Sequence, residues 1–320
     1  MSKPRSIQEI LKRRQQSDFV GREKQVEMFR QNLALPLEDD RRRFIFSVYG
    51  QGGVGKTWLL RRFRQLAEQV GAFIAWTDET ETDVTEVMGR LADQLKAQGH
   101  DLKAFNERYR VYRQKRQELE ADPEAPKGLP SFIGRTLAKA TIHLGRRMPV
   151  GGVAFDFIDE EALVSQAGEW AAYVARKIAN KDEVRLVLEP IEVLTPLFFQ
   201  DLQAVAGEHL VVFFFDTYER TGEFLDPWLR DVLEGRYGDI HANILLVVAG
   251  RYPLDKNLWS PYEGLVARLP LEPFSEEEAR EYLRRKGITD ERVVDVILRL
   301  SGRLPLLVAT LAQESPRNPE

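Results

Sequence analysis

An apolar run, Phe44-Ile45-Phe46-Ser47-Val48-Tyr49, leads directly into Gly50-Gln51-Gly52-Gly53-Val54-Gly55-Lys56-Thr57. Few features constrain a chain more. The second segment matches the G-x-x-x-x-G-K-[ST] pattern, and its context is the strand–turn–helix that the pattern requires. Leu59, Leu60, Phe63, Leu66, Ala67 and Val70 follow at helical spacing and give the helix a buried face. Glycines at 52, 53 and 55 let the backbone wrap around an anion and turn several N–H groups inward. The positive end of the helix adds to the same attraction. Lys56 is suited to reach β- and γ-phosphates, and Thr57 to offer its hydroxyl to Mg²⁺. The expected cofactors are therefore ATP or ADP with Mg²⁺. The expected binding run is Gly50, Gln51, Gly52, Gly53, Val54, Gly55, Lys56, Thr57 and the adjoining Trp58.

Composition narrows the alternatives. The 320 residues are 43% hydrophobic and 30% charged, which suits a globular chain with a sizeable core. A net charge of −4 gives no overall attraction to nucleic acid or to an anionic membrane. There is no cysteine, so disulfides, thiol catalysis and Cys-ligated zinc are excluded. His100, His143, His209 and His241 are scattered without metal-ligand spacing. The N-terminus lacks the apolar stretch of a signal peptide, and no apolar run reaches the ~18–20 residues of a membrane span. A cytoplasmic location is the expectation.

Periodicity orders the chain. Ser6 and Glu9 form an S-x-x-E capping box before a short basic helix. A helix is expected over Glu23–Leu33 and strands over Arg43–Tyr49 and Ala72–Thr77, followed by an amphipathic helix over Val84–Leu95. Residues 101–190 read as a mostly helical insertion. It contains a charged helix over Phe105–Leu119, a proline-rich loop over Ala121–Pro130 and a basic amphipathic stretch over Ser131–Arg147. Buried strands resume at Leu210–Phe215, Ile244–Ala249 and Leu265–Leu269. Short apolar strands alternating with helices imply a covered, mostly parallel five-stranded sheet, an α/β P-loop NTPase fold of ASCE type. Ser275 and Glu278 make a second capping box for a helix over Glu276–Lys286 that stops at Gly287. Helices near Arg292–Leu300 and Leu306–Ala312 complete a small C-terminal α-helical domain. The expected division is an N-terminal helical extension over 1–16, a nucleotide-binding domain over 17–270, a helical lid over 271–314 and a tail over 315–320.

Two further residues stand where such a site needs them. Asp216 follows the buried run Val211–Phe215, the position of the carboxylate that organises Mg²⁺; a loop-capping aspartate is the plainer alternative. Arg251 follows Val247-Val248-Ala249-Gly250, at the carboxyl end of another core strand, where open α/β sheets bind ligand. It could read the γ-phosphate, or sit in a surface salt bridge.

At this point the chain resembles a family. Phe19-Val20-Gly21-Arg22-Glu23 is similar to the hhGRE motif that precedes the phosphate loop in STAND-class signalling ATPases, the AP-ATPase or NB-ARC group. Gly302-Arg303-Leu304-Pro305 resembles their GxP motif, and Arg251 fits their sensor arginine. The resemblance spans roughly 17–313 apart from the insertion. It implies that Val20, Gly21 and Arg22 line the adenine and ribose side and that Pro305 packs near the base. Two departures stand out. Many related ATPases follow the Mg²⁺ aspartate with an acidic residue, whereas Thr217 follows Asp216 here. Either Glu219 takes that role or hydrolysis is slow. The family also usually continues into a winged-helix domain and a sensor or effector, so the chain reads as the core of something longer.

The function implied is a nucleotide-dependent molecular switch in signal transduction, closed with ADP and open and self-associating with ATP. Sensor or effector segments would lie outside this chain. The alternative is a DNA-acting AAA+ or origin-recognition-like ATPase, which should bind duplex in a salt-dependent way. A small-molecule P-loop kinase leaves the GRE and GxP segments without a role. The Ser131–Arg147 stretch could lie on a membrane or pack on its own domain. The charged face around Arg108, Arg110, Arg113, Lys115 and Arg116 reads as solvated rather than as a nucleic-acid site.

Overall fold

A computed structural model describes Ser6, residues 20–126 and residues 160–315. The helix expected over 1–16, the Ser131–Arg147 stretch and most of the tail lie outside the described residues. Five strands, β1 (Ile45–Tyr49), β2 (Phe73–Thr77), β3 (Val211–Phe215), β4 (Ile244–Gly250) and β5 (Val266–Pro270), form one sheet in the order β2-β3-β4-β1-β5. The pairings β1–β4, β1–β5 and β2–β3 are all parallel. This is the α/β P-loop NTPase fold expected from the sequence. It is of the ASCE type, with β4 between the strand entering the glycine-rich turn and the strand ending at Asp216.

The chain divides into two compact units, Met1–Gly71 with Leu246–Glu320, and Ala72–Leu245. In the first, α1 (Glu23–Ala34) and α2 (Lys56–Gln69) supply an aromatic cluster with β1. Phe29 stacks on Phe63 with ring centroids 4.1 Å apart and meets Phe46 edge-on at 5.0 Å. Each such pair adds ~0.5–1.5 kcal/mol to the burial of its rings. Asn32, buried on α1, takes both backbone groups of Arg43: its Oδ1 accepts from Arg43 N at 2.6 Å and its Nδ2 donates to Arg43 O at 2.9 Å. That is why the strand expected from Arg43 begins only at Ile45.

After α9 (Lys256–Trp259) and a 3₁₀ turn (Ser260–Leu265), β5 leads to three helices. These are α10 (Glu276–Arg285), α11 (Glu291–Ser301) and α12 (Pro305–Glu314). The capping box read at Ser275 and Glu278 is present. Ser275 Oγ accepts from Glu278 N at 3.0 Å, and the Glu278 carboxylate accepts from Ser275 N at 2.7 Å. The small core of these helices includes Ala279, Leu283, Ile288, Val294, Ile297 and Val308.

In the second unit every described element between β2 and β3 is a helix: α3 (Val84–Ala97), α4 (Lys103–Glu120), α5 (Glu160–Lys177), α6 (Lys181–Leu188) and α7 (Pro190–Ala206). β2 is the sheet's outer strand on this side, and α3 covers its open edge with two glutamines one turn apart. Gln94 exchanges hydrogen bonds with both backbone groups of Trp76, at 3.0 and 2.7 Å. Gln98 does the same with Ile74, at 3.1 and 2.7 Å. Side-chain amides thus take the place of a sixth strand and hide the edge from foreign pairing. Across the sheet face, Trp76 stacks on Phe214 at 5.1 Å. Asp201 on α7 accepts from Phe105 N at 2.9 Å and caps the start of α4. After β3, α8 (Tyr218–Leu233) packs inward through Leu225, Trp228 and Leu229. Among the described residues no helix is long and apolar enough to cross a membrane.

Candidate functional site

The glycine-rich turn begins where β1 ends, and β4 ties down its entry. Gly50 N donates to Gly250 O at 3.3 Å, so the loop's first residue lies beside the strand whose next residue is Arg251. Arg251 is exposed there, just past the end of β4. A Cβ on Gly50 would sit 2.4 Å from Leu271 O, so backbone approaches backbone at this point and only glycine fits. Lys56, the first residue of α2, curls back: its Nζ donates to Gly50 O at 2.8 Å and to Gln51 O at 3.1 Å. The ammonium is therefore held over the concave side of the turn. Thr57 is half-buried one residue on, Val54 is fully buried, and Trp58 is exposed with the Arg61 guanidinium 5.4 Å from its ring centre.

The helices after β5 come down on the outer side of the same loop. Leu306, in the first turn of α12, donates its amide to Gly53 O at 3.1 Å. The Leu304 and Leu306 side chains lie against Gly53, where a Cβ would come within 3.0 Å of Leu306 Cβ, and Gly53 holds φ +79°. Pro305 between them opens α12, the position that suits a residue without an amide hydrogen.

The GRE segment joins that contact. Val20 is buried among the helices α10–α12, in one cluster with Phe274, Leu283 and Val308. Gly21 lies so close to Glu278 that a Cβ would overlap its carboxylate. The Arg22 Nη2 donates to Val54 O at 3.2 Å and to Glu272 O at 2.5 Å, with the guanidinium 5.6 Å from the Phe274 ring centre. Burial lowers the Arg22 pKa from its ordinary value, while Glu278, Glu23 and Glu272 oppose the shift. The structure thus brings Arg22, the loop and the residues around Pro305 together. Val20 lies in the small core of the C-terminal helices.

Asp216 belongs to the second unit. It is buried at the carboxyl end of β3, a strand buried at all five positions. Its amide donates to Thr77 O at 2.9 Å, and its Oδ1 accepts from Thr217 N at 2.9 Å. Glu219 is exposed in the first turn of α8. Next to it Tyr218 is buried, which pushes its hydroxyl pKa well above the ordinary tyrosine value, with Asp226 adding to the rise.

Backbone strain marks these places independently. Among the described residues the non-glycine positions with positive φ are Arg22 (66°), Thr217 (52°) and Arg303 (62°). The left-handed region costs a non-glycine residue ~1–2 kcal/mol, and Thr217 is β-branched, for which it is rarer still. One lies in the GRE segment, one directly after Asp216 and one in the GxP segment. Such strain persists where surroundings over-determine it, as at ligand sites. Composition and periodicity carry no signal of it.

The donor set fits a phosphate chain and a hard divalent ion. Space is open beside Gly52 and Gly55, where an added Cβ would meet nothing within 4 Å. The loop and the start of α2 supply backbone amides, the Lys56 ammonium and a helix N-terminus. In the first unit Thr57 carries a hydroxyl at the start of α2, and in the second Asp216 carries a carboxylate at the end of β3; each is by itself an oxygen donor of the type Mg²⁺ takes. Among the described residues no group of three or more His, Cys, Asp or Glu is placed to hold a metal ion.

The architecture and this loop define the class: a P-loop NTPase fold. No family model matches the chain, and no curated protein matches it. Among solved structures it is similar to a Walker-type ATPase of Pyrococcus abyssi, at 14% identity over 92% of this chain and 67% of that one, with a TM-score of 0.49. It is similar also to Cdc6p from Pyrobaculum aerophilum, at 12% identity over 92% and 69%, with a TM-score of 0.42. At such identities the likeness concerns the fold alone, and the fold assignment here rests on strand order and loop.

Proposed function

We propose that the chain is an ATP- and ADP-binding P-loop ATPase module in which the C-terminal helices act as a nucleotide-dependent lid. The observation that carries this reading is the contact between α12 and the loop's outer side at Gly53, opposite the side where Lys56 lies. Phosphates entering the concave side would draw the Lys56 ammonium from the carbonyls of Gly50 and Gln51, and Thr57 with Asp216 would hold Mg²⁺. When bound, Mg²⁺ neutralises phosphate charge. Exchange of ADP for ATP would alter the contacts of Arg251, and the loop would pass the difference to the lid through Gly53. In the open state the freed lid surface would support self-association. Hydrolysis would be slow, since Thr217 occupies the place of the usual water-polarising acid.

The origin-recognition-like reading shares the nucleotide site and differs in output. Two measurements test the proposal. Mass spectrometry of nucleotide released from freshly purified protein should find ADP or ATP. Chromatography with ATP·Mg should show larger assemblies than with ADP. Salt-dependent binding of duplex DNA without assembly would replace the switch with the DNA-acting reading. No bound nucleotide, together with no uptake on addition, would overturn the nucleotide site itself.

A further inference from the structure

Two consecutive peptide groups of the loop are each held from outside. Gly53 O accepts from the Leu306 amide at 3.1 Å, and Val54 O accepts from Arg22 Nη2 at 3.2 Å. A trans peptide is planar, with its C=O and N–H pointing in opposite directions. Among the described residues there are no cis peptide bonds. Fixing these two carbonyls outward therefore fixes the amides of Val54 and Gly55 inward. The inward side is identified by its own contacts. Val54 N donates to Gln51 O at 3.4 Å, a long bond that an entering phosphate would share or replace, and the Lys56 ammonium bonds that same Gln51 carbonyl. Gly53 (φ +79°) and Gly55 (φ +97°) flank Val54, giving the alternation of hand that turns successive amides into an anion-binding hollow.

We infer that Arg22 and the Leu306 amide are positioning groups that pre-orient the phosphate-binding amides of Val54 and Gly55, and that lid docking and phosphate affinity are coupled through these two peptides. This rests on the nucleotide reading and deepens it. It gives Arg22 a role distinct from the ribose-side contact implied by its motif: the guanidinium acts through the loop. It also gives the coupling a direction-free form. Whatever the lid contact adds to phosphate affinity, bound phosphate must return to the lid contact by the same factor.

The test uses the full chain stripped of nucleotide. Affinities for Mg·ADP and for inorganic pyrophosphate are measured by calorimetry in three proteins. These are the parent, Arg22→Gln, and a backbone ester at position 306 in which leucine's α-hydroxy acid keeps the side chain and removes only the N–H. Loss of one orienting hydrogen bond is expected to weaken both ligands by the same factor, about fivefold. Arg22→Lys, which keeps a donor for Val54 O, should recover part of the loss. Hydrogen exchange at Leu306 should slow by a similar factor, about fivefold, when ADP binds the parent. If Arg22→Gln weakens ADP but leaves pyrophosphate unchanged, Arg22 acts on the nucleoside and the inference is wrong. It is equally wrong if both variants bind both ligands like the parent. A variant that melts early is replaced by the other, since each releases a different peptide. Failure of the parent to bind either ligand would remove the nucleotide reading instead, and this inference with it.

Discussion

The loop at residues 50–57 and the end of β3 at Asp216 are held in place by different means. Around the loop the working parts are backbone groups, and a few specific bonds set them: Leu306 to Gly53, Arg22 to Val54, Lys56 to Gly50 and Gln51. Asp216 has bonds of its own, to Thr77 O and from Thr217 N, but the strand that carries it is held chiefly by bulk packing. Val211–Phe215 is buried throughout, Trp76 stacks on Phe214, and α3 holds the neighbouring β2 through Gln94 and Gln98. A backbone site can be reshaped by moving one donor, whereas a packed strand end moves only if the core yields. The contacts of Leu306 and Arg22 belong to the adjustable region, where the proposed lid would need them.

The largest expected effect lies on the packed side. Phe214→Ala removes a fully buried ring and should lower stability by ~3–5 kcal/mol in urea unfolding, through transfer and cavity terms together. If the loss were under ~1 kcal/mol, packing would not be what holds the Asp216 end. Next comes the covered edge of β2. Gln94→Leu with Gln98→Leu strands four backbone groups of Trp76 and Ile74 and should cost ~2–3 kcal/mol, with more self-association in light scattering. Gly53→Ala should cost ~1–2 kcal/mol from its positive φ, because Leu306 Cβ and the strained backbone both oppose the new methyl. It should change ADP affinity more than Phe214→Ala does. The reverse order would erase the contrast between the two regions.

Smaller effects sharpen the comparison at its margins. Ser275→Ala breaks the capping box of α10 and should cost ~1 kcal/mol, seen as a lower melting temperature. Asp122 bonds Lys177 at 2.7 Å and the Tyr173 hydroxyl at 2.5 Å, in that order of effect. They lower its pKa from 3.8 to about 2. A depressed carboxyl pKa contributes stability above the unfolded value and loses it as pH falls through the folded one. Between pH 4 and 2 the parent should therefore lose stability faster than Asp122→Asn in acid unfolding.

Much of the first region was legible because its signals are local. The phosphate loop, the capping box at Ser275 and Glu278, the stop at Gly287 and all five strands follow from short-range pattern, and the sheet is the one those strands imply. The helices α7 and α8 were not read. Each carries an internal proline, Pro196 or Pro227, which sequence rules treat as a break, and tertiary packing overrides that preference. The edge cover by Gln94 and Gln98 has no sequence signature, since glutamines one turn apart look like an ordinary solvated face. For Arg22 the motif marked the residue, but the bonds to Val54 O and Glu272 O depend on contacts 32 and 250 residues away, which no local pattern encodes.

One titration tests the central claim most directly. Nucleotide-free protein is titrated calorimetrically with ADP and Mg²⁺, alongside Lys56→Ala. One site per chain is expected in the parent, with an affinity at least about thirtyfold weaker in the variant, which lacks the ammonium held beside Gly50 and Gln51. Equal heats and equal affinity in the two proteins, or no binding in the parent, would contradict it.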